Sequence, residues 1–432
     1  MIRAMIVRAG VLILFFFSFQ LQAKEDAGMT LERVVIVSRH GVRAPTKFTP
    51  QMREVTPFQW PQWDVPLGWL TPRGGQLISA LGHYQRLRLA DAGLLTDKTC
   101  PGVGRVAVIA DTDQRTRKTG EAFLAGLAPE CHIPVHYQQE KSKTDPLFNP
   151  IKTGKCAFNT AEVKGAILTK AGGSIEQYSQ TYQSAFQILE HVLNFPDSEK
   201  CKTAGDNHVC SFTKAIPTKL NIKPDNVSLP GAWGLSSTLT EIFLLQQAQG
   251  MKDVAWGRIA GDKAWQLLLS LHNAQFDLLQ RTPEVARSRA TPLLDLIRTA
   301  LTTTGSEQNH YGITFPVSVL FIAGHDTNLA NLSGALDLNW SLPSQPDNTP
   351  PGGELVFERW KRVSDNTAWV QVSFVYQTLQ EMREMRAFSL DNPPGRVDLA
   401  LKACSEKNAQ GMCSLDSFAK LIESVRVADC GL

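Results

Sequence analysis

The sequence has little net charge, and this scarcity limits the partners it is suited to bind. Lys and Arg number 44 against 41 Asp and Glu, so the formal net charge is +3. Loss of Arg3 and Arg8, one positive charge each, would lower it to +1. A near-neutral total argues against nucleic acid as a partner. Attraction for a polyanion must therefore come from local clusters of cations.

Long apolar runs are also lacking outside the first residues. Near the N-terminus, two arginines precede the apolar run at positions 11–17, and Ala23 is followed by charged residues. This layout is typical of a secretory signal peptide, and the run is short for a membrane span. We expect a signal segment 1–23 cleaved after Ala23, although Leu21 stands where a small residue is preferred, and an uncleaved anchor is the alternative. The mature protein is expected to be periplasmic or secreted, without a membrane partner.

Zinc-site spacing is absent, because no CxxC pair occurs and no histidine cluster accompanies the cysteines. Repeats and low-complexity segments are absent as well. The eight cysteines all follow the expected signal segment, which predicts four disulfides in an oxidising compartment. Their pairing is open from the sequence, with short loops favouring Cys201–Cys210 and Cys404–Cys413.

Short apolar runs indicate an α/β fold with strands buried on both faces. Three such runs are predicted strands: Val34–Val37, Val106–Ile109 and Val317–Ile322. Apolar residues at helical spacing predict helices at Arg73–Leu89, Arg115–Leu127 and Thr327–Leu336. Alternating patterns at Glu354–Trp360 and Ala368–Tyr376 predict an antiparallel pair of strands.

The middle of the chain has a different pattern, since its strongest signals are helical. They lie at Ile175–Leu193, Leu239–Gln249 and Trp265–Leu279. We predict a discontinuous α/β domain over residues 24–160 and 286–432, with a mainly helical domain at 161–285 inserted in it.

Each of the three predicted strands runs into residues that can do chemistry. These residues are Arg39-His40-Gly41-Val42-Arg43 after the first strand, Asp111 to Arg115 after the second, and Gly324-His325-Asp326 after the third. Ligands of open α/β sheets bind beyond the carboxyl ends of the strands. The three ends are therefore predicted to meet at one site.

The segment Arg39–Pro45 has the composition of a phosphate site with a nucleophile. Arginine presents a planar set of donors that matches phosphate oxygens, and a neutral imidazole is a competent nucleophile. The two flanking cations are expected to lower the pKa of His40 by like-charge repulsion, which keeps the ring neutral in mild acid. A surface turn with solvated arginines is the alternative interpretation.

The other two strand ends supply complementary groups. His325 suits phosphate binding, and Asp326 suits donation of a proton to a leaving alcohol, which would require an acid optimum. Asp326 is also a candidate N-cap of the following helix. Arg115 is a further phosphate ligand beside a helix N-terminus, and Asp111 is expected to orient an arginine.

The chain resembles the histidine acid phosphatases. The segment Arg39–Pro45 fits the RHGxRxP signature of that family, and His325-Asp326 fits its distal HD motif, about 285 residues later. The resemblance covers nearly the whole mature chain and extends to the bacterial periplasmic 6-phytases of the family. It implies a phosphoglycerate-mutase-like α/β domain with a central, mostly parallel sheet, a smaller mainly α-helical domain, and an active site in the cleft between them.

The resemblance also implies roles for residues. His40 becomes a phosphohistidine, Asp326 protonates the leaving oxygen, and the phosphoryl oxygens are held by Arg39, Arg43, Arg115 and His325. Neither a metal nor another cofactor is implied, and a monomer is expected. The implied disulfides are Cys100–Cys131, Cys156–Cys430, Cys201–Cys210 and Cys404–Cys413.

Phytate, a compact and highly charged ring, is the substrate that the resemblance implies. Its further phosphates require cations outside the first pocket, for which Lys47, with Thr46 beside it, and Arg289 are candidates, and the resemblance places Glu241 at the same pocket. Lys47 is equally well interpreted as a solvated lysine. The alternatives are a broad or glucose 1-phosphate phosphatase of the same family, a phosphomutase, and a non-catalytic protein that binds inositol phosphates.

Overall fold

A computed structural model describes residues 28–96, 100–102, 104–139, 144–203 and 210–431. The expected signal segment and the cleavage site after Ala23 lie outside these residues. Across the described ranges, none of the helices combines the length and the apolar character that a membrane crossing needs.

The chain alternates strands and helices in its first and last parts and is mainly helical between them. The strands are β1 Met29–Arg39, β2 Val106–Ala110, β3 Val135–His136, β4 Asn221–Lys223, β5 Asn226–Ser228, β6 Glu307–Gln308, β7 Thr314–Phe315, β8 Val319–Gly324, β9 Glu354–Arg362, β10 Ala368–Tyr376, β11 Gly395–Leu399 and β12 Cys413–Ser414. The helices are α1 Pro50–Glu54, α2 Pro72–Asp91, α3 Gln114–Leu127, α4 Thr160–Lys170, α5 Ile175–Thr181, α6 Gln183–Leu193, α7 Glu199–Thr203, α8 Phe212–Ala215, α9 Ala232–Ala248, α10 Gly261–Leu279, α11 Pro283–Thr302, α12 Asp326–Ala335, α13 Leu379–Glu384 and α14 Leu415–Val425. Short 3₁₀ helices occur at Phe195–Asp197, Val254–Gly257 and Ala428–Cys430.

The central sheet has the strand order β11-β10-β9-β1-β8-β2-β3, with β12 paired to β10. Strands β1, β8, β2 and β3 are mutually parallel, and β9 joins them antiparallel to β1. Successive residues of a strand point to opposite faces. Val35 and Val37 accordingly pack in one core, while Val34 and Ile36 pack in the other. Burial on both faces explains the unbroken apolar runs, and the expected α/β class is confirmed.

A separate hydrophobic core lies among the helices of the middle segment. It includes Phe186 of α6, Trp233 and Phe243 of α9, and Leu271 of α10. The single helix expected at Ile175–Leu193 is in fact two, α5 and α6, divided at Tyr182. Helix α9 begins at Ala232, before the predicted start at Leu239. Its first two turns include small and hydroxyl residues that are buried, and apolar spacing does not reveal such residues.

Helix α11 crosses the domain boundary predicted at 285/286. Its Val285 packs in the helical core, whereas Ala286 and Leu293 pack against the sheet. The helix therefore belongs to both cores, and the division into two domains at these residues stays a prediction.

All eight cysteines form disulfides. The pairs are Cys100–Cys131, Cys156–Cys430, Cys201–Cys210 and Cys404–Cys413, as the resemblance implied. The second pair joins residues 274 positions apart and so ties the segment before α4 to the C-terminus.

Candidate active site

Three strand ends meet at one edge of the parallel part of the sheet. In the β1–β8 register Arg39 lies opposite Gly324, and in the β2–β8 register Ala110 lies opposite Ala323. Backbone hydrogen bonds continue past these pairs, from the His40 amide to the Gly324 carbonyl at 2.9 Å and from the Asp111 amide to the Ala323 carbonyl at 3.1 Å. The predicted convergence of the three chemical segments is thus a consequence of strand register.

The turn after β1 is seated against α2 and α3. The Gly41 amide donates to the Thr119 hydroxyl at 3.0 Å. A Cβ atom at Gly41 would lie 2.8 Å from the Ile78 side chain and 2.9 Å from the Gly74 carbonyl oxygen. Because a side chain at this position would collide with α2, glycine allows the close approach that fixes the turn.

His40 is held in one tautomer. Its ring is buried, with 2% exposure, and its Nδ1 lies 2.9 Å from the Gly41 carbonyl oxygen. A carbonyl only accepts, so Nδ1 carries the proton and Nε2 keeps a free lone pair. Burial lowers the pKa of His40 well below its ordinary value, and the charges of Arg115, Arg43 and Arg39 lower it further. The sequence argument found the cations but not the larger effect, which is burial.

Arg39 is fully buried and surrounded by acceptors. Its Nη1 lies 3.0 Å from Asp347 Oδ2 and 2.6 Å from the Thr349 carbonyl oxygen, and its Nη2 contacts Glu241 and lies 3.1 Å from Asp326 Oδ2. Burial lowers the pKa of Arg39, but the three carboxylates outweigh it and raise that pKa above its ordinary value. Arg39 is therefore a fixed cation.

Glu241 bridges the two arginines of the first motif. Its Oε1 contacts Arg39 and lies 2.9 Å from Arg43 Nη2. Burial raises the pKa of Glu241, but the charges of Arg43 and Arg39 outweigh it and leave that pKa lowered. Glu241 thus lies at the arginines of the first motif, and its place in a phytate pocket stays a prediction.

His325 is oriented by Asp111. His325 Nε2 lies 2.8 Å from Asp111 Oδ2, and its ring centroid is 5.6 Å from that of His40. Asp111 also accepts from the Thr112 amide at 2.7 Å and from the Asn149 side chain at 3.2 Å. The expectation that Asp111 orients an arginine is corrected, because its hydrogen bond goes to His325.

Asp326 is the first residue of α12, and the N-cap is His325. The capping role considered for Asp326 therefore belongs to its neighbour, which leaves the carboxylate directed to Arg39. Burial raises the pKa of Asp326, but the charges of Arg39, His272, His325 and Arg43 outweigh it and bring that pKa to about 2. Asp326 is ionised in the site without a ligand.

Arg115 lies at the start of α3, with its Nη2 2.7 Å from Asp113 Oδ2. Burial lowers the pKa of Arg115 and the charge of Arg43 lowers it further. The charge of Asp113 raises it, but the net pKa stays below its ordinary value. The neighbouring cations have other contacts, since Arg117 lies over the Tyr137 ring and Lys118 pairs with Glu121. Of these three cations, Arg115 is the one whose charge acts on His40.

The residues expected to contact further phosphates lie in different surroundings. Thr46 and Lys47 are exposed, and Lys47 lines a cavity of about 370 Å³ with Thr238 and Gln280. Arg289 bonds to Gln280 and lies over the Phe158 ring, 5.2 Å from its centroid. Burial lowers the pKa of Arg289 to about 10. Arg289 therefore borders the cavity through Gln280.

One cluster has the spacing of a metal site. Within the described residues, ligand atoms of Asp111, Asp113 and His325 lie within 4.8 Å of one another. These atoms are already engaged, because His325 bonds to Asp111 and Arg115 pairs with Asp113. They form the same network that orients His325.

Sequence reasoning missed three residues that build the site. Asp347 pairs with Arg39, Asn149 donates to Asp111, and buried His272 acts on Asp326 through its charge. Asp347 and Asn149 lie in loops and His272 in a helix, without a motif around them. Their roles depend on contacts across more than 30 residues of chain, which local patterns do not reveal.

Comparison with known proteins agrees with this geometry. The family model described as histidine phosphatase superfamily (branch 2) matches residues 30–375. The phytase AppA of Escherichia coli is 62% identical over 411 residues, covering 95% of each chain. A glucose-1-phosphatase of Salmonella typhimurium is 35% identical, covering 92% of this chain and 93% of its own. The solved phytase of Citrobacter braakii is 72% identical with a TM-score of 0.92, covering 94% of this chain and all of that one.

Proposed function

This chain belongs to branch 2 of the histidine phosphatase superfamily, and we propose that it is a phytase, an acid phosphomonoesterase that hydrolyses inositol hexakisphosphate through a phosphohistidine. The observation that carries the proposal is the tautomer of His40. Its Nδ1–H is bound to the Gly41 carbonyl, so Nε2 presents a lone pair beside three arginines.

The arginines are suited to the phosphoryl group that His40 would attack. Arg39, Arg43 and Arg115 all act on His40 through their charges, so they lie around the place that a transferring phosphoryl group would occupy. Such cations stabilise the charge of the transition state without reorganisation. With Nε2 of His325 bound to Asp111, its Nδ1 is the nitrogen left for a phosphoryl oxygen.

The reaction follows in two steps. Nε2 of His40 attacks phosphorus while the bond from phosphorus to the leaving oxygen breaks, and Asp326 gives its proton to that oxygen. Water then attacks phosphorus and the bond from phosphorus to Nε2 breaks. The Asp326 carboxylate takes one proton of the water, which regenerates free His40 and protonated Asp326. Asp326 loses that proton again when inorganic phosphate leaves.

The charge balance of the site explains how Asp326 comes to carry a proton. In the unliganded site its pKa is about 2, because Arg39 and neighbouring cations outweigh the effect of burial. A phosphate group bound to these arginines offsets their charge and raises the pKa of Asp326. Proton uptake is thereby coupled to substrate binding, and an acid optimum follows.

Phytate is favoured over glucose 1-phosphate as the substrate because a phytase is the relative at 62% identity and a glucose-1-phosphatase the one at 35%. In support, Lys47 follows the first motif by two residues, is exposed and lines a cavity of about 370 Å³, so its charge is accessible to an additional phosphate. Thr46, Glu241 and Arg289 are proposed as substrate-pocket residues with it.

A periplasmic or secreted location and a monomeric state are part of the proposal. The four disulfides support export, since such bonds persist in oxidising compartments.

The test is phosphate release from phytate and from glucose 1-phosphate, between mild acid and neutral pH, by wild type and His40→Ala. We expect acid-side release from phytate that His40→Ala abolishes, and a ³²P-labelled, acid-labile phosphoenzyme in the wild type alone. Release mainly from glucose 1-phosphate would replace the phytase assignment by the alternative. Activity in His40→Ala would refute the nucleophile, and binding of phytate without release would indicate a non-catalytic binding protein.

A further inference from the structure

His272 is a buried histidine with one ring nitrogen unsatisfied. It lies in α10 with 2% exposure, and its Nδ1 is 2.9 Å from the Ser237 hydroxyl of α9. Its Nε2 is buried, and within the described part of the chain it has no hydrogen-bond partner. Leaving a buried polar atom unpaired costs free energy, so such an atom calls for a functional explanation.

Contacts on two sides place His272 next to Arg39 and the carboxylates paired with it. Ser237, its partner, is one helical turn before Glu241, so the two lie on the same face of α9, and Glu241 contacts Arg39. On the other side, Asn273 donates to the Pro346 carbonyl at 2.8 Å and accepts from the Asn348 amide at 3.0 Å. The residue between these two is Asp347, which binds Arg39.

The electrostatics of the cluster agree with this placement. Burial raises the pKa of Asp326, and the charges of Arg39 and then His272 are the largest that lower it. His272 also contributes to the lowered pKa of Glu241, after the opposing effect of burial and the charges of Arg43 and Arg39. The imidazole therefore lies near the carboxylate that faces the leaving oxygen.

We propose that His272 is a substrate-contacting residue on the leaving-group side, whose Nε2–H donates to an anionic oxygen of the phosphate next to the scissile one. The inference rests on the proposed function. In the proposed reaction Asp326 protonates the leaving oxygen, so the nearby His272 would face the substrate atoms beyond that oxygen. With the Ser237 hydroxyl donating to Nδ1, Nε2 carries the proton and is the ring nitrogen left to donate to the substrate. The ring is held against Phe276, with centroids 4.3 Å apart.

The test compares two substrates that differ beyond the leaving oxygen. Phytate has neighbouring phosphates, and p-nitrophenyl phosphate has none. We expect His272→Ala to raise KM for phytate about tenfold, as for loss of a hydrogen bond to a charged group, and to raise KM for p-nitrophenyl phosphate much less. His272→Gln keeps an N–H donor in a different geometry, so it is expected to recover part of the affinity. His191→Ala removes an exposed histidine of α6 and is the matched control.

Contrary outcomes are distinct from one another. Equal losses on both substrates by folded variants, judged by circular dichroism, would show that His272 only shapes the site and would overturn the inference. An unchanged KM for phytate in both variants would overturn it as well. If the wild type hydrolyses p-nitrophenyl phosphate but not phytate, the proposed function fails first and the inference falls with it.

Discussion

The Oδ2 atom of Asp326 lies 3.1 Å from Nη2 of Arg39, so the proposed proton donor is an ion-pair partner of an arginine proposed to bind phosphate. The Arg39 side chain is inaccessible to solvent and the Asp326 side chain is half-buried, which strengthens their interaction. This ion pair links the binding of phosphate to the protonation of Asp326 in the proposed mechanism. In the proposed mechanism, phosphate binding would offset the charge of Arg39, and the same event would allow Asp326 to become protonated.

Replacing Asp326 by Asn is expected to lower kcat for phytate by a factor of about 10² to 10⁴, because the leaving alkoxide then departs without a proton. The loss should be much smaller for p-nitrophenyl phosphate, whose leaving phenolate needs less protonation. Steady-state kinetics on both substrates measures the difference. Asp365→Asn changes an exposed carboxylate after β9 and is the control. Equal losses on the two substrates would contradict the role of Asp326 as acid.

Glu241→Gln is expected to bind inorganic phosphate more tightly, with an inhibition constant lowered roughly tenfold, because one buried negative charge leaves the arginine pocket. The Glu241 carboxylate accepts hydrogen bonds from both Arg39 and Arg43, whose donors an anion would otherwise use. Competitive inhibition by phosphate is the measurement. Glu162→Gln, at an exposed position of α4, should change nothing. Weaker phosphate binding by Glu241→Gln would show that the carboxylate mainly holds the arginines in place.

Asn149→Ala is expected to lower kcat about tenfold with little change in KM, since Asn149 positions Asp111, which in turn orients His325. The same turn holds the other side of the histidine, because the Phe148 carbonyl accepts from Asn328 and the Asn328 side chain accepts from the His325 amide. Kinetics together with the melting temperature separates positioning from general destabilisation. An exposed control is Asn392→Ala. A raised KM at constant kcat would contradict a positioning role.

Glu354 should make the protein less stable as pH rises toward neutrality. Burial raises its pKa to about 7, against the hydrogen bond from Gln85 and the charge of Arg88. The pKa of Glu354 is about 7 in the folded protein and near 4.5 in the unfolded chain. Its contribution to stability is therefore fully present below pH 4.5 and is lost as pH rises through about 7. We therefore expect the unfolding free energy of Glu354→Gln, relative to wild type, to increase by on the order of 3 kcal/mol from pH 4 to pH 8.

Denaturant unfolding at several pH values measures this effect, and Glu358→Gln on the same strand provides a control of opposite sign. Burial raises the pKa of Glu358, but Arg88 and Arg396 outweigh it and leave that pKa lowered. Its contribution is present above the unfolded value and is lost as pH falls. The same pH slope for both variants would refute the assignment of Glu354.

The sequence by itself determined the strands whose burial is encoded in their own residues. Unbroken apolar runs indicated β1, β2 and β8 because strands covered on both faces need apolar residues at every position. Arg39, His40 and His325-Asp326 were found for a similar reason, since each lies at the end of such a strand or directly after it. The chemistry of the site was thus readable from short segments.

Tertiary structure decided how those groups are charged and oriented. The tautomer of His40 is fixed by a neighbouring carbonyl, and the ionisation of Asp326 depends on Arg39, which is 287 positions away in the chain. Asp347, Asn149 and His272 join the site through contacts between distant elements, so no local pattern marks them. Composition and spacing determine which groups are present, whereas burial and packing determine their pKa values, because the cost of a buried charge depends on everything that surrounds it.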